Sequence, residues 1–328
     1  MAYLIVGLGS MGCRRLRLLK KSAPDLEIVG VDQRLDRRQR VEKDFQVVAF
    51  SSIEGALQKV QVTKALICTS PLSHAQIIRE CLGYGLDIFT ELNLVDDGYP
   101  ELISLAESKG LQLFLSSTTL YRKEVEYIQS RVRDTKRPCF YRYHVGQYLP
   151  DWHPWEGYKE FFVGDKRTNG CREIFGIEMP WIIDTFGKVT DVKVNKAQVS
   201  TLDIDFPDTF IVQLTHESGH FGVFLVDVVA RHYIRNLEIV SEDLQLRWEH
   251  AGEVEDLDIS KQEFNTISMA EKYGDPKFDA AGIAEAAYRL ELDVFRGVAE
   301  GEEPRYGFVE DQYTLSVIDQ IEGIPSSH

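Results

Sequence analysis

The sequence predicts an α/β fold: an N-terminal doubly wound parallel sheet, followed by an α+β domain with a mostly antiparallel sheet. Short apolar strands alternate with helical segments over residues 1–120, and strands rich in β-branched and aromatic residues dominate residues 121–328. A chain of 328 residues is long enough for two domains. We therefore expect a first domain at 1–120 and a second at 121–328.

Each strand of the first half is a short apolar run, as expected when helices cover both faces of a parallel sheet. The predicted strands span 3–6, 27–32, 65–69, 87–91 and 111–115, and the predicted helices span 13–21, 74–83 and 99–108. Ser73, with Gln76 three residues later, predicts a capping box at the start of the second helix. Gly110 predicts the end of the third.

Strands dominate the second half, after Pro138. The predicted strands span 140–145, 189–200, 209–215, 221–229 and 237–249, and the predicted helices span 122–133, 173–186, 281–298 and 312–321. This pattern indicates a mostly antiparallel sheet with helices on one face. The other face of such a sheet is commonly an oligomer interface, and simple exposure to solvent is an equal alternative.

The chain carries a net charge of −15, and residues 121–328 account for all of it, with 23 basic and 38 acidic side chains. An acidic surface repels a phosphate backbone, so we expect no nucleic-acid partner. No apolar stretch approaches the ~18–20 residues that cross a bilayer, so we expect no membrane span. The five cysteines are odd in number and widely spaced, which is typical of a reduced cytoplasmic protein.

A glycine-rich turn, GLGSMG at 7–12, joins the first strand to the first helix, and Asp32 ends the next strand. In this context the first glycine permits a tight turn, the second lets a pyrophosphate approach the backbone, and the third permits close helix packing. The helix N-terminus then offers N–H groups to phosphates. The sequence therefore predicts a Rossmann domain that binds a dinucleotide. A domain of this shape that has lost its ligand is the alternative.

Asp32 favours NAD, because its carboxylate would accept hydrogen bonds from the adenosine ribose and repel a 2′-phosphate. Arg34, Arg37 and Arg38 follow closely and are able to hold that phosphate, which keeps NADP open. The positions expected at the cofactor are Gly7, Gly9, Ser10, Met11, Gly12, Asp32, Gln33, Arg34, Thr69, Ser70, Pro71, His74, Glu91 and Asn93.

The run HESGH at 216–220 matches the zinc-protease pattern literally. That pattern works on a helix, which places two histidines on one side of the metal. Here the run lies between two apolar strands, with Ser218-Gly219 as a hairpin turn. We therefore expect no metal site and treat His216 and His220 as structural.

Together these features resemble the glucose–fructose oxidoreductase / inositol dehydrogenase (Gfo/Idh/MocA) family over nearly the whole chain. The resemblance rests on the glycine-rich turn, on Thr69-Ser70-Pro71 followed by His74, on the strand that ends at Glu91, and on the β-rich second half. It implies a homodimeric or homotetrameric oxidoreductase that uses NAD or NADP. Its substrate would be a small, sugar-like molecule (a sugar, sugar nucleotide or polyol) that reacts at a carbinol or keto carbon. A further run, GQYLPDWHPWE at 146–156, looks like a subgroup associated with bacterial surface-sugar biosynthesis.

Two departures remove the proton carriers that the resemblance implies. The family's Glu-Lys-Pro is replaced by Glu91-Leu92-Asn93, and leucine cannot ionise. The family's aspartate and histidine align with Ile174 and Ile177. Transfer of a hydride at a carbinol also moves the hydroxyl proton, and a positioned proton carrier is worth ~10²–10⁴-fold in rate.

The sequence therefore predicts an enzyme whose proton carrier has moved. The candidates are Tyr148, His153, Glu173 and Glu178. His153 titrates near neutrality, and either glutamate would serve if burial raised its pKa. Two alternatives stay open: a catalytically inactive pseudoenzyme that binds a dinucleotide or sugar, and an enzyme that recycles bound NAD without net redox.

Overall fold

The computed structural model describes residues 2–152, 157–269, 285–301 and 303–325. The chain divides into two compact units. Unit 1 comprises Met1–Ser117 and Tyr288–Gln312, and unit 2 comprises Thr118–Ala287 and Tyr313–His328. The boundary expected at residue 120 lies close to the one between Ser117 and Thr118. The sequence did not indicate that residues 288–312 return to unit 1.

Unit 1 contains a parallel sheet in the order β3-β2-β1-β4-β5-β6. Its strands are β1 (Ala2–Val6), β2 (Ile28–Val31), β3 (Ala49–Phe50), β4 (Val62–Ile67), β5 (Asp87–Thr90) and β6 (Leu113–Leu115). Its connecting helices are α1 (Ser10–Ser22), α2 (Leu35–Phe45), α3 (Ile53–Leu57), α4 (Pro71–Gly83) and α5 (Tyr99–Lys109). The order reverses between β1 and β4, so the doubly wound prediction is confirmed, and ligands of such sheets bind outside the carboxyl ends of the strands at this point.

The helix boundaries follow local chemistry, with one correction. Gly110 ends α5 in the left-handed conformation at φ +63°, as the sequence predicts. The capping box at Ser73 is wrong, because α4 already begins at Pro71 and Ser73 lies inside its first turn. Proline is well suited to that first position because it has no N–H to satisfy. The Ser73 hydroxyl instead donates to the backbone oxygen of Ser70 and lies 2.8 Å from Thr69 Oγ1.

Unit 2 contains a sheet in which eight strands are described, in the order β14-β13-β12-β11-β7-β10-β9-β8. The strands are β7 (Phe140–Gly146), β8 (Val189–Ala197), β9 (Thr209–His216), β10 (Phe221–Asp227), β11 (Ile234–Val240), β12 (Gln245–Trp248), β13 (Glu253–Asp258) and β14 (Glu263–Ser268). All neighbouring pairs are antiparallel except β7 with β10, which confirms the mostly antiparallel prediction.

The sequence was less accurate at one edge of this sheet. The single strand predicted at 237–249 is a hairpin of β11 and β12, closed by Ser241 N donating to the Leu244 oxygen at 2.7 Å. The edge strands β13 and β14 were not predicted at all. Their side chains are mainly charged, polar or exposed, so the alternation that marks a half-buried strand is weak there.

The remaining helices are α6 (Lys123–Arg133), α7 (Gly170–Phe186), α8 (Glu285–Arg296) and α9 (Phe308–Glu322). Helix α7 is apolar over most of its length and packs Phe175 edge-on against Phe210 and Phe224 of the unit 2 sheet. The prediction for α8 began at 281, and residues 281–284 lie outside the described part. None of the helices that the structure describes is long and apolar enough to span a membrane.

A buried ion cluster stabilises unit 1. Arg15 of α1 is fully buried; its Nε lies 2.6 Å from Glu91 Oε1 and its Nη2 lies 2.8 Å from Glu291 Oε2. The same nitrogen donates to Ser116 Oγ at 3.0 Å, and the guanidinium covers the Phe89 ring. Burial raises the pKa of Glu291 against the opposing effect of Arg15. The cluster therefore ties α1, β5 and α8 together through one cation.

We expect Arg15→Met to lower the free energy of unfolding by ~3–5 kcal/mol, because it leaves two buried carboxylates without their cation. Urea unfolding at pH 7 measures this. The control is Arg79→Met, which breaks an exposed pair with Glu101 and should leave the free energy of unfolding close to that of the wild type. Equal losses in the two variants would contradict the role given to Arg15.

Candidate functional site

The glycine-rich turn between β1 and α1 leaves no space for side chains at two positions. A Cβ at Gly12 would lie 1.9 Å from the Gly7 oxygen, and a Cβ at Gly7 would lie 2.7 Å from the Cys68 oxygen. Gly7 also has φ +92°, a conformation that favours glycine. A Cβ at Gly9, in contrast, would meet only the Arg37 guanidinium, at 3.6 Å. Gly9 is thus the glycine whose backbone stays accessible to a ligand.

Asp32 fixes this turn to the end of β2. Its Oδ2 accepts from Leu8 N at 2.8 Å, and its Oδ1 accepts from Arg34 N at 2.8 Å. The carboxylate therefore lies beside the N-terminus of α1, which begins at Ser10 without a side-chain cap. This is where a dinucleotide places its adenosine ribose and pyrophosphate.

The three arginines after Asp32 have different surroundings. Arg34 forms two hydrogen bonds with Asp36, and Arg38 donates to the backbone oxygens of Asp32 and Gln33. Arg37 makes a looser contact, with its Nη1 3.5 Å from Asp32 Oδ2, and it also lies over Gly9. Arg37 is therefore the arginine best placed to turn towards a 2′-phosphate.

The candidates after β4 and β5 divide by burial. Ser70 is exposed and Thr69 half-buried, whereas His74, Glu91 and Asn93 are buried. His74 Nδ1 lies 2.6 Å from Asn93 Oδ1, its Nε2 lies 3.0 Å from the Thr69 oxygen, and burial lowers the pKa of the imidazole. These three buried side chains support the carboxyl edge of the sheet from inside. Gln33, Ser10 and Met11 lie at the surface or half-buried.

The chain's own residues fit a dinucleotide. Two glycines allow the close turn, a third leaves the backbone open, an acid stands at the ribose position, and the start of α1 has no side-chain cap. All of these features lie at the carboxyl ends of neighbouring parallel strands of unit 1.

In unit 2, Glu178 is fully engaged by neighbouring donors. Its Oε1 lies 2.5 Å from Arg235 Nη2, and its Oε2 accepts from Tyr143 OH at 2.8 Å and from Trp181 Nε1 at 2.7 Å. These contacts occupy both carboxylate oxygens, and the geometry gives Glu178 a role in holding α7 to the sheet.

Glu173, one and a half turns earlier in α7, has the opposite surroundings. The residue is half-buried, and its inaccessible Oε2 has no hydrogen-bond partner in the part of the chain that the structure describes. Burial without a compensating cation raises the pKa of Glu173 to about 8. A carboxyl group of this kind is protonated at neutral pH and is able to give up its proton to a reacting group.

The other candidates are less informative. Tyr148 is half-buried, and the Arg231 guanidinium covers its ring, with Cζ 3.6 Å from the ring centroid. His153 lies outside the described residues. At the positions aligned with the family's aspartate and histidine, Ile174 is buried and Ile177 is exposed.

Comparison with known proteins identifies the first unit. Residues 1–116 match the model of GFO_IDH_MocA, described as an oxidoreductase family with an NAD-binding Rossmann fold. Over these residues the chain is similar to the Gfo/Idh/MocA family. The resemblance inferred from the sequence is thereby confirmed, and so is the prediction of an NAD-binding domain.

Two relatives share part of the chain. It is 30% identical over 130 residues to human biliverdin reductase A and 33% identical over 132 residues to the mouse protein. Each match covers 39% of this chain, which spans only 43% of the length of these relatives.

Solved structures match over nearly the whole length. UDP-N-acetylglucosamine 3-dehydrogenase GnnA from Acidithiobacillus ferrooxidans has a TM-score of 0.76 at 15% identity, covering 99% of this chain and 97% of its own. The WlbA dehydrogenase from Chromobacterium violaceum, in complex with NADH and UDP-GlcNAcA, has a TM-score of 0.78 at 15% identity. The match covers 99% of this chain and 93% of that chain. An Agrobacterium radiobacter oxidoreductase, in complex with NAD+, L-tartaric acid and magnesium, has a TM-score of 0.83 at 10% identity. The match covers 99% of this chain and 96% of that chain. At these identities the likeness shows the fold.

The zinc-protease pattern lies in a hairpin, as the sequence predicts. His216 N donates to the His220 oxygen between β9 and β10, and Gly219 at φ +85° forms the turn. His216 Nδ1 lies 2.7 Å from the Gly187 oxygen and its Nε2 lies 3.0 Å from Tyr141 OH, so both ring nitrogens have protein partners. His220 Nδ1 accepts from Cys139 N.

Sequence reasoning missed two arginines. Arg15 follows the third glycine by three residues, and only the packing of α1 shows that it is buried with Glu91. Arg231 lies between β10 and β11, and nothing in its spacing indicates that it contacts Tyr148.

We expect Gly12→Ala to abolish NADH binding in calorimetry, because the added methyl group would overlap the Gly7 oxygen and displace α1 from the turn. The control is Gly83→Ala in α4, where an added Cβ meets nothing within 4 Å. Unchanged NADH affinity in folded Gly12→Ala protein would contradict the assignment of this turn to the cofactor.

We expect Arg37→Ala to weaken NADPH binding by roughly tenfold or more, about 1.4 kcal/mol, and to leave NADH binding unchanged or slightly stronger. The reason is that Arg37 contacts the Asp32 carboxylate itself, whereas Arg34 pairs with Asp36 and Arg38 donates to backbone oxygens. Arg34→Ala is the control, since Asp36 already neutralises Arg34. A loss of NADPH affinity confined to Arg34→Ala would reverse the assignment.

Proposed function

We propose that the protein is an NAD(P)-dependent oxidoreductase acting at a carbinol or keto carbon of a sugar, sugar nucleotide or polyol, with Glu173 as its proton carrier. The observation that carries this proposal is the unpartnered, buried Glu173 carboxyl, whose pKa is raised to about 8. It offers the group that the sequence lacks at Leu92 and Ile177.

The substrate class is supported by the solved structures. Among those similar over the whole chain are a UDP-N-acetylglucosamine 3-dehydrogenase and a dehydrogenase in complex with NADH and UDP-GlcNAcA. The acidic second half argues against polymeric polyanions as substrates and is compatible with a small molecule recognised by a few directed contacts.

The dinucleotide, when bound, supplies or accepts the hydride. The chain's residues then have separate tasks. The glycine-rich turn and Asp32 bind and orient the cofactor. Glu173 holds a proton at Oε2 for the substrate oxygen in the reductive direction and, once ionised, accepts the hydroxyl proton in the oxidative direction. Glu178 pairs with Arg235 and keeps α7 in place.

A second candidate function is reduction of biliverdin or a related conjugated pigment. The observation that favours it is the 30% identity to human biliverdin reductase A over 39% of the chain. Leu92 is compatible with this chemistry, because hydride addition to a conjugated carbon does not remove a proton from a carbinol.

The test of Glu173 is the pH profile of NADH oxidation or NAD reduction with a panel of sugar nucleotides, sugars, polyols and biliverdin. We expect Glu173→Gln to lower kcat by ~10²–10⁴-fold and to remove the ionisation near pH 8. In the wild type the reductive rate should fall as pH rises through about 8, because the acid loses its proton. Asp184→Asn, an exposed carboxylate of the same helix, should keep the wild-type profile.

The pH dependence of thermal unfolding tests the raised pKa of Glu173 independently of catalytic activity. The folded-state pKa of Glu173 is about 8, above the unfolded value of about 4.3, so its contribution to stability is present at low pH and lost as pH rises towards 8. We therefore expect the Tm of Glu173→Gln to rise relative to that of the wild type as the pH increases from 5 to 8. A pH-independent difference would contradict the raised pKa.

Two other outcomes would decide between the alternatives. NADH binding without turnover across the whole panel would favour a pseudoenzyme. Epimerisation or elimination without net change in NADH absorbance would favour recycled cofactor.

A further inference from the structure

Arg231 is a cation without a carboxylate partner in the described part of unit 2. It is exposed, follows β10, and lies with its guanidinium carbon 3.6 Å from the centroid of the Tyr148 ring. That distance places the guanidinium carbon in van der Waals contact with the ring, and a cation in this position is attracted by the ring's negative face.

The absence of a carboxylate is unusual for this unit. Unit 2 is rich in acidic side chains, and most of its described arginines pair with one of them. Pairs of this kind are Arg122 with Glu124, Arg131 with Asp256, Arg142 with Glu238, Arg172 with Asp319 and Glu322, and Arg235 with Glu178. Within the described residues, Arg231 contacts an aromatic ring instead of a carboxylate.

The segment that carries Arg231 is joined to the loop that carries Tyr148. Gln147 N donates to the Asp227 oxygen and Leu149 N to the Val228 oxygen, at 3.2 and 3.0 Å. Both segments meet the start of α7, because a Cβ at Gly170 would lie 2.8 Å from Leu149 Cδ1 and 3.1 Å from Val228 Cγ1. The first turn of α7 carries Glu173.

We propose that Arg231, supported by Tyr148, binds the diphosphate of a nucleotide-sugar substrate. Contact with a ring occupies the face of a guanidinium and leaves the in-plane N–H groups free. These groups form the rigid fork that pairs with two oxygens of a phosphate at once. Tyr148 thus acts as a positioning residue for Arg231.

This inference rests on the proposed function, because it names the part of the substrate that the second unit recognises. A sugar carboxylate would offer the same pair of oxygens, so the test includes both anions. The diphosphate is favoured because two of the structurally similar enzymes are named for, or bound to, UDP-sugars.

The experiment is calorimetric titration of the full-length protein, in the presence of saturating NADH, with UDP and, separately, with glucuronate. We expect UDP to bind the wild type, with an affinity that falls as salt rises. Arg231→Gln should raise the Kd for UDP at least tenfold, and Arg231→Lys should restore only part of it because lysine lacks the fork. Arg142→Gln, which removes an exposed arginine already paired with Glu238, is the matched control and should bind UDP as the wild type does.

Two Tyr148 variants test the support. Tyr148→Phe keeps the aromatic ring and should retain the wild-type affinity for UDP. Tyr148→Leu removes the ring, and its loss of UDP affinity should be most of that caused by Arg231→Gln. Equal UDP affinity in the wild type and Arg231→Gln would overturn the proposal. Binding of glucuronate but not UDP, weakened by Arg231→Gln, would overturn the diphosphate assignment.

The outcomes also separate this inference from the proposed function. UDP binding that depends on Arg231 without any turnover of UDP-sugars would leave the inference standing and contradict the oxidoreductase proposal. Turnover of UDP-sugars with the same KM in the wild type and Arg231→Gln would support the oxidoreductase proposal and overturn the inference about Arg231.

Discussion

The close approach of Gly12 to Gly7 is the constraint on which unit 1 depends. Because no Cβ fits at Gly12, α1 starts directly against the turn that leaves β1, and its N-terminus faces the space beside Asp32. Because α1 lies in this position, Arg15, one turn further along the helix, is buried in the core beside Glu91 and Glu291. One steric requirement therefore sets both the cofactor loop and the buried ion cluster that holds α1 and α8 to the sheet.

In helix α7, two glutamate side chains have different properties because their surroundings differ. Glu173 and Glu178 are five residues apart. Glu178 meets a cation and two neutral donors, whereas Glu173 meets none in the described structure. Desolvation alone then raises the pKa of Glu173, while the Glu178 carboxylate is paired with Arg235. A carboxyl group with a raised pKa and a paired, structural carboxylate thus follow from packing, with no difference in residue type.

Sequence patterns predicted most of the architecture because the relevant signals are local. Apolar runs separated by helices required a parallel sheet, and glycines flanked by a strand and a helix indicated the dinucleotide turn. The errors arose where local signals were weak or competed. Ser73 resembled a cap, yet Pro71 began the helix earlier, and β13 and β14 were hidden by charged side chains that an edge strand can expose.

The sequence by itself determined that residues 1–116 resemble an oxidoreductase family with an NAD-binding Rossmann fold, because the glycine-rich turn and Asp32 depend on residue identity at short spacing. Only the tertiary structure decided which of three arginines lies at Asp32, which glutamate of α7 lacks a partner, and that Arg231 covers Tyr148. The physical reason is that burial and charge pairing arise between segments far apart in the chain. Arg231 and Tyr148, for example, meet because β7 and β10 are neighbours in the sheet.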